Sequence, residues 1–177
     1  MKILALDSSG LVASVAVVEN DTLLAEYTVN YKKTHSQTLL PMLDEISNMT
    51  ELDLSTIDAI AVAGGPGSFT GLRIGSATAK GLGLALEKPL ISIPTTAAIA
   101  YNIWDTDKFV CPIMDARRNQ VYTGVYCYTD HRLDTVWEQD TMSIEALAEG
   151  LNCLDHEVIF LGDGVAVYRD KLQELLT

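Results

Sequence analysis

Ala59-Ile60-Ala61-Val62-Ala63-Gly64-Gly65-Pro66-Gly67-Ser68-Phe69-Thr70-Gly71-Leu72-Arg73-Ile74-Gly75 is the stretch on which the fold turns. Its first five residues are apolar without alternation, the pattern of a short strand covered on both faces. Gly64 to Gly67 break the run, and a helical pattern then extends over residues 69–86. Strand, glycine turn and helix in that order invite a nucleotide-binding reading, but the spacing does not fit one. No G-x-x-x-x-G-K-[ST] can be placed here, and Thr70 stands where the third glycine of a dinucleotide fingerprint belongs. Gly65, Gly67, Gly71 and Gly75 read instead as structural glycines. Gly71, Gly75, Ala79 and Gly83 form a column of small residues, four apart on one helix face. Glycine inside a helix costs on the order of 1 kcal/mol relative to alanine, so the column calls for close approach by a backbone or a sheet. That neighbour is either this chain's own sheet, the favoured reading, or another subunit. With the sheet as neighbour, the opposite face, with Arg73, Ser76 and Lys80, is left for a partner.

Upstream, residues 2–7 (KILALD), 13–18 (ASVAVV) and 22–29 are apolar runs, the last two separated by the turn formers Glu19-Asn20-Asp21, which predicts a three-stranded meander. Leu39, Leu40, Leu43 and Ile46 then mark a helical stripe over residues 36–48 with Ser36 as its N-cap. Pro41 falls inside that helix at a cost, which a start nearer Leu40 would relieve. A strand at 90–93 and a helix from about 95 to 104 close a first lobe, residues 1–105. The order then recurs. Residues 109–115 (FVCPIMD) end in Asp as residues 2–7 do, and strands at 120–128 and 133–137 follow. Ser143 caps the next helix, and residues 158–161 (VIFL) run into Gly162-Asp163-Gly164 and a helix over 165–176. This second lobe, residues 106–177, is expected to lack a last strand and helix. A βββαβα order written twice requires mixed sheets, antiparallel meanders joined to parallel strands by helical crossovers. Two such lobes side by side form the cleft of the duplicated ribonuclease H-like fold shared by actin-like ATPases and sugar kinases.

A hydrophobic content of 48% over 177 residues suffices for a sizeable core. No apolar run approaches the roughly 18 residues of a membrane span, and the apolar stretch after Met1-Lys2 is short and already ends at Asp7, so no signal peptide is expected. Cys111, Cys127 and Cys153 are odd in number and far apart within apolar segments, which predicts free thiols and a reducing cytoplasm. The net charge is −12, with the acidic residues scattered. Nucleic-acid binding draws most of its affinity from Lys and Arg neutralising phosphates, so any link to RNA should run through another subunit. His35, His131 and His156 share no metal-ligand spacing, and no metal is expected. Ser8 and His35 would have to join an Asp to form a hydrolase triad, yet no G-x-S-x-G elbow is present.

Two turns stand where such a fold places its phosphate loops. Asp7-Ser8-Ser9-Gly10 follows the first strand, where small residues would let backbone N–H groups face an anion and the Asp hold metal-bound water. The same residues are equally good formers of an ordinary strand-ending turn, and Leu11 and Val12 add nothing for a phosphate. Asp115-Ala116-Arg117-Arg118 is the equivalent in the second half, its arginines suited to a phosphate or to a partner's carboxylate. Both turns are read as candidate vestigial phosphate loops.

At Asp7-Ser8-Ser9, Thr34-His35-Ser36-Gln37-x-Leu39-Leu40-Pro41 and above all Gly65 to Gly75, the sequence resembles the bacterial TsaB (YeaZ) family; similarity resumes at Pro94-Thr95 and at Ile113 to Tyr122. The resemblance implies a part in making threonylcarbamoyladenosine in tRNA. There a paralogue, TsaD, transfers the threonylcarbamoyl group, TsaC makes the activated adenylate, and the ATPase TsaE cycles the complex. It further implies pairing with TsaD through the helices at 36–48 and 69–86, hence through Leu39, Leu40, Leu43, Ile46, Arg73, Ser76 and Lys80, and homodimerisation when alone. Where TsaD carries metal-binding histidines this chain has Pro94-Thr95-Thr96-Ala97-Ala98-Ile99, so a non-catalytic scaffold is expected, with no catalytic residue. No cofactor of its own is implied, apart from ATP or ADP shared at a subunit boundary. The alternatives are an ATP-dependent phosphotransferase of sugar-kinase type, from the duplicated Asp-ended strands, and a peptidase, from the family's old glycoprotease label.

Overall fold

β1 (Lys2–Asp7), β2 (Ala13–Glu19) and β3 (Thr22–Val29) form the predicted antiparallel meander. In β2 alternate side chains, Ala13, Val15 and Val17, are buried, as a sheet covered on one face demands. The structure is a computed structural model, and it describes residues 1–31 and 35–177. Thr34 of the family-like motif lies outside the described residues. β4 (Ala59–Gly65) pairs parallel with β1, and β5 (Leu90–Pro94) flanks it, giving the order β3-β2-β1-β4-β5. Parallel neighbours need a crossover, supplied between β1 and β4 by the segment that contains α1 (Leu39–Thr50).

α1 starts later than the sequence predicts. A single 3-10 turn, His35–Gln37, occupies the expected first turn, so Ser36 does not cap the α-helix; Thr38 stands at that position. Pro41 thereby becomes the third helical residue, where a missing N–H costs little because first-turn donors have no intrahelical acceptor. Met42 N–H makes an early helical bond, to the Thr38 carbonyl at 2.9 Å. The next helix, α2 (Phe69–Leu86), is capped by Ser68, whose hydroxyl accepts the Gly71 N–H.

The second unit repeats the plan. α3 (Thr95–Ala100) precedes β6 (Phe109–Arg117), β7 (Gln120–Thr129) and β8 (Arg132–Ser143). α4 (Ile144–Asn152), β9 (Val158–Leu161) and α5 (Gly164–Leu175) complete it. The order β8-β7-β6-β9, with β6 and β9 parallel, reproduces β3-β2-β1-β4. Ser143 caps α4 as predicted, accepting the Ala146 N–H at 3.1 Å. β8 runs well beyond the predicted 133–137. The two compact units are Met1–Ile93 and Pro94–Thr177, so the boundary falls ahead of α3 and not after residue 105. The reason is local: Thr96 Oγ1 bonds the Tyr126 hydroxyl at 2.7 Å and Gln139 Oε1 at 3.0 Å, tying α3 to β7 and β8. Each unit has its own core, one around Leu4, Val15, Leu43 and Ile60, the other around Ile113, Val121, Leu147 and Leu172. Among the described residues no helix is long and apolar enough to cross a membrane.

Candidate functional site

The turn after β1 is occupied by the chain itself. Asp7 Oδ1 accepts the Ser9 N–H at 2.7 Å, the short-range bond of an Asx turn. Ser8 Oγ donates to the Gly71 carbonyl at 2.9 Å, and Ser68 N–H donates to the Ser9 carbonyl at 2.6 Å. These bonds draw the start of α2 onto the turn, and the glycine column is what admits it. A Cβ on Gly67 would lie 2.4 Å from the Ser9 carbonyl oxygen, one on Gly71 2.0 Å from that of Ser8, and one on Gly75 2.6 Å from Ser8 Oγ. Gly71, Gly75, Ala79 and Gly83 are the buried residues of α2, so the neighbour their spacing calls for is this unit's own turn and sheet. Ser8 and Ser9 are only 2% and 3% exposed, whereas Leu11 is 79% exposed. The turn thus offers solvent the apolar Leu11 side chain while the Ser8 hydroxyl and the Ser9 N–H and C=O are engaged inside. Ser8 and His35 are not paired as nucleophile and base, since the His35 ring bonds the Gly10 carbonyl at 2.9 Å.

The equivalent turn of the second unit is built alike. Asp115 Oδ1 accepts the Arg117 N–H at 2.9 Å and the Tyr168 hydroxyl at 3.1 Å, and Asp115 N–H donates to Asp163. Burial first, and then Asp115, raise the Tyr168 hydroxyl above its usual titration range. Arg117, Arg118 and Asn119 all have positive φ, so the β6–β7 link is a tight left-handed turn. Asn119 Nδ2 donates to both Glu145 oxygens, and Lys171 donates to Asn119 Oδ1 and to Glu145, bracing the turn against α4 and α5. Arg117 and Arg118 are exposed. Thr95 and Thr96 are buried at the head of α3 and carry no charge. Among the described residues no three His, Cys, Asp or Glu side chains converge as a metal site would require.

The helix stripe divides in two. Leu39, Leu43 and Ile46 are 1%, 3% and 3% exposed and belong to the first core, so they cannot form the partner surface expected of them. They point inward because α1 has a sheet beneath it and one apolar face to bury. Leu40, at 52%, and Met49, at 77%, are the apolar residues that α1 shows to solvent. On α2, Arg73 and Lys80 are exposed and Ser76 half-buried, opposite the glycine column. With Phe69, Leu72 and Ala77 they line an open concavity of about 340 Å³. The Arg73 guanidinium lies 5.1 Å from the centre of the Phe69 ring, a cation–π contact that places it over an apolar side chain which is itself 75% exposed.

A protein of Bacillus subtilis named "tRNA threonylcarbamoyladenosine biosynthesis protein TsaB" is 35% identical to this chain over 99% of it and 77% of that protein. The chain belongs to the TsaB family. The TsaB of Escherichia coli is 32% identical over 98% of the chain and 76% of its own length. The family model for TsaD, tRNA N6-adenosine threonylcarbamoyltransferase, matches residues 22–176. A crystal structure from Pseudomonas aeruginosa, described as an uncharacterized protein with similarity to peptidase YeaZ, superposes with a TM-score of 0.84 at 29% identity, covering 96% of this chain and 79% of that one. TsaB membership agrees with the two mixed sheets and the repeated strand order described above, which that structure shares.

Within this TsaB-family chain, Phe69, Leu72 and Ala77 are the residues that sequence reasoning left out of the α2 face. Phe69 had a signal of its own: an aromatic residue at a helix start with an arginine four positions on is a neighbouring pair on one face. Leu72 and Ala77 had none, because an apolar residue on a helix declares its exposure only when the helix is docked.

Proposed function

We propose that this chain is the non-catalytic subunit of a threonylcarbamoyladenosine-forming assembly, which docks a TsaD-type paralogue through the outer face of α2. The observation that carries the reading is the 35% identity, over 99% of the chain, to a protein named for that biosynthesis. The engaged serines of the first turn support a scaffold over an enzyme, as does the absence of charged side chains at Thr95 and Thr96. In this reading the chain works in the cytoplasm, holds no metal or nucleotide of its own, and closes the same face on a second copy when no partner is present. Its charge of −12 leaves tRNA contact to the partner. A TsaE-type ATPase and a TsaC-type synthase complete the assembly.

The test is reconstitution with TsaC, TsaD and TsaE proteins, threonine, bicarbonate, ATP and unmodified tRNA, with the modified nucleoside measured by chromatography. Omitting this chain should remove the product, and the chain alone should form none. The Arg73→Glu, Lys80→Glu double variant should lose co-elution with TsaD and at least tenfold of the rate, with an unchanged thermal melt. Undiminished product without the chain, or normal co-elution of the double variant, overturns the proposal. Tight magnesium-dependent ATP binding to the isolated chain, measured by calorimetry, would favour the sugar-kinase alternative.

A further inference from the structure

The segment after α3 and the β7–β8 hairpin bring three aromatic rings together in the second unit. Strand residues alternate between faces, so Cys111 and Val125 join the core under α4 and α5, while Val110, Tyr126 and Tyr128 pack with α3 on the other face. β7 and β8 lie on the side of β6 away from β9. The half-buried Tyr128 ring is the floor of the group. The Trp104 ring stands 5.4 Å from it at 65°, and the Tyr101 ring 6.4 Å from it at 82°. Trp104 is 61% exposed and Tyr101 54%, so the rings make an open corner and not a core. Its surroundings are acidic. Asp105, next to Trp104, is bonded to His131 Nδ1 at 2.6 Å, which ties the α3–β6 loop to the hairpin tip. Its side chain is still 34% exposed. Burial first, then Tyr101 and the Asp105 charge, raise the Tyr128 hydroxyl above its usual titration range. Asp130 and Asp134 add negative charge from the hairpin, against Arg132, while Lys108 is paired with Glu157 at 3.0 Å.

We propose that this aromatic corner binds the guanidinium of an arginine carried by a basic, extended polypeptide segment. Ring faces attract a cation within about 6 Å of their centres, and the Asp105 carboxylate beside them adds a second attraction. A planar, weakly hydrated guanidinium stacks on such faces better than a compact ammonium does. Because the corner is open, it holds one side chain and leaves the rest of the ligand outside, which suits a residue on a polymer over a free small cation. Asp130 and Asp134 then meet the segment's other cations. Nucleic acid is the other polymer that exposed rings attract, through base stacking. Its phosphates would here face Asp105, Asp130 and Asp134 with Arg132 in opposition, so charge selects against it.

The experiment titrates the 15N-labelled chain, at about 0.15 M salt, with the acetylated and amidated peptide Arg-Gly-Arg-Gly-Arg and follows the indole N–H resonances. A saturable shift at Trp104 is expected, with Trp137, which packs against Gly150, unmoved. The same peptide with citrulline for arginine keeps the shape without the charge and should bind about tenfold more weakly. Trp104→Ala, read at the Asp105 amide, should weaken binding by a similar factor and leave the thermal melt unchanged, because the ring is mostly exposed. Asp105→Asn should weaken it about threefold, the ring contacts being kept. No shift at millimolar peptide, equal binding of the citrulline peptide, full affinity in either variant, or tighter binding of an oligouridylate at Trp104 would each overturn the proposal.

Discussion

Gly71 and Gly81 lie on the same helix and meet opposite surroundings. A Cβ added to Gly71 would lie 2.0 Å from the Ser8 carbonyl oxygen, whereas one added to Gly81 would meet nothing within 4 Å. Gly71→Ala must push the turn after β1 away from α2, and overpacking of this kind costs about 1–3 kcal/mol. Gly81→Ala adds only helix propensity and should gain about 0.5–1 kcal/mol. Urea midpoints of the two variants should therefore move in opposite directions, and a neutral Gly71→Ala would refute the close approach. The glycine column was legible from the sequence because four-residue spacing marks one helix face. That the Ser8 hydroxyl bonds Gly71, across 63 positions, was not. No local pattern announces a contact between two turns that only the strand order brings together.

At the scale of elements, the β6–β7 turn is the one whose design depends on pH. Glu145 is held at about 2, against an ordinary 4.5, first by the Lys171 hydrogen bond, then by a backbone N–H and by Asn119. A carboxyl whose pKa is lowered by folding adds stability that is complete above the unfolded value and is lost as pH falls through the folded one. The brace should accordingly hold at neutral pH and loosen between about 4.5 and 2. Because Glu145 is exposed, the loss should show locally, in the Asn119 side-chain amide resonances, more than in the global melt. Glu145→Gln should abolish that titration, and an identical acid response in both proteins would sink the idea. Elements themselves were mostly legible from the sequence. α1 began late because Pro41 is tolerated in a first turn, and α3 joined the second unit because Thr96 bonds Tyr126 and Gln139.

Across the whole molecule, the two units bury separate cores, and both tryptophans, Trp104 and Trp137, lie in the second. Leu43→Ala removes a buried side chain from the first core and should cost about 2–5 kcal/mol there. The urea transition seen by far-ultraviolet circular dichroism should move accordingly, while tryptophan fluorescence, which reports the second unit, moves less. Equal shifts by both probes would show one cooperative core. What the sequence determined by itself was the order of strands and helices, their duplication and the exclusion of the familiar nucleotide loops, since periodicity and turn chemistry are local properties of the chain. The tertiary structure alone decided that Leu39, Leu43 and Ile46 face inward, that Ser8 and Ser9 are sealed beneath α2, and that Phe69 remains outside. Burial is settled by which distant segment arrives on a given face, and strands separated by more than fifty residues meet only when the sheet has formed.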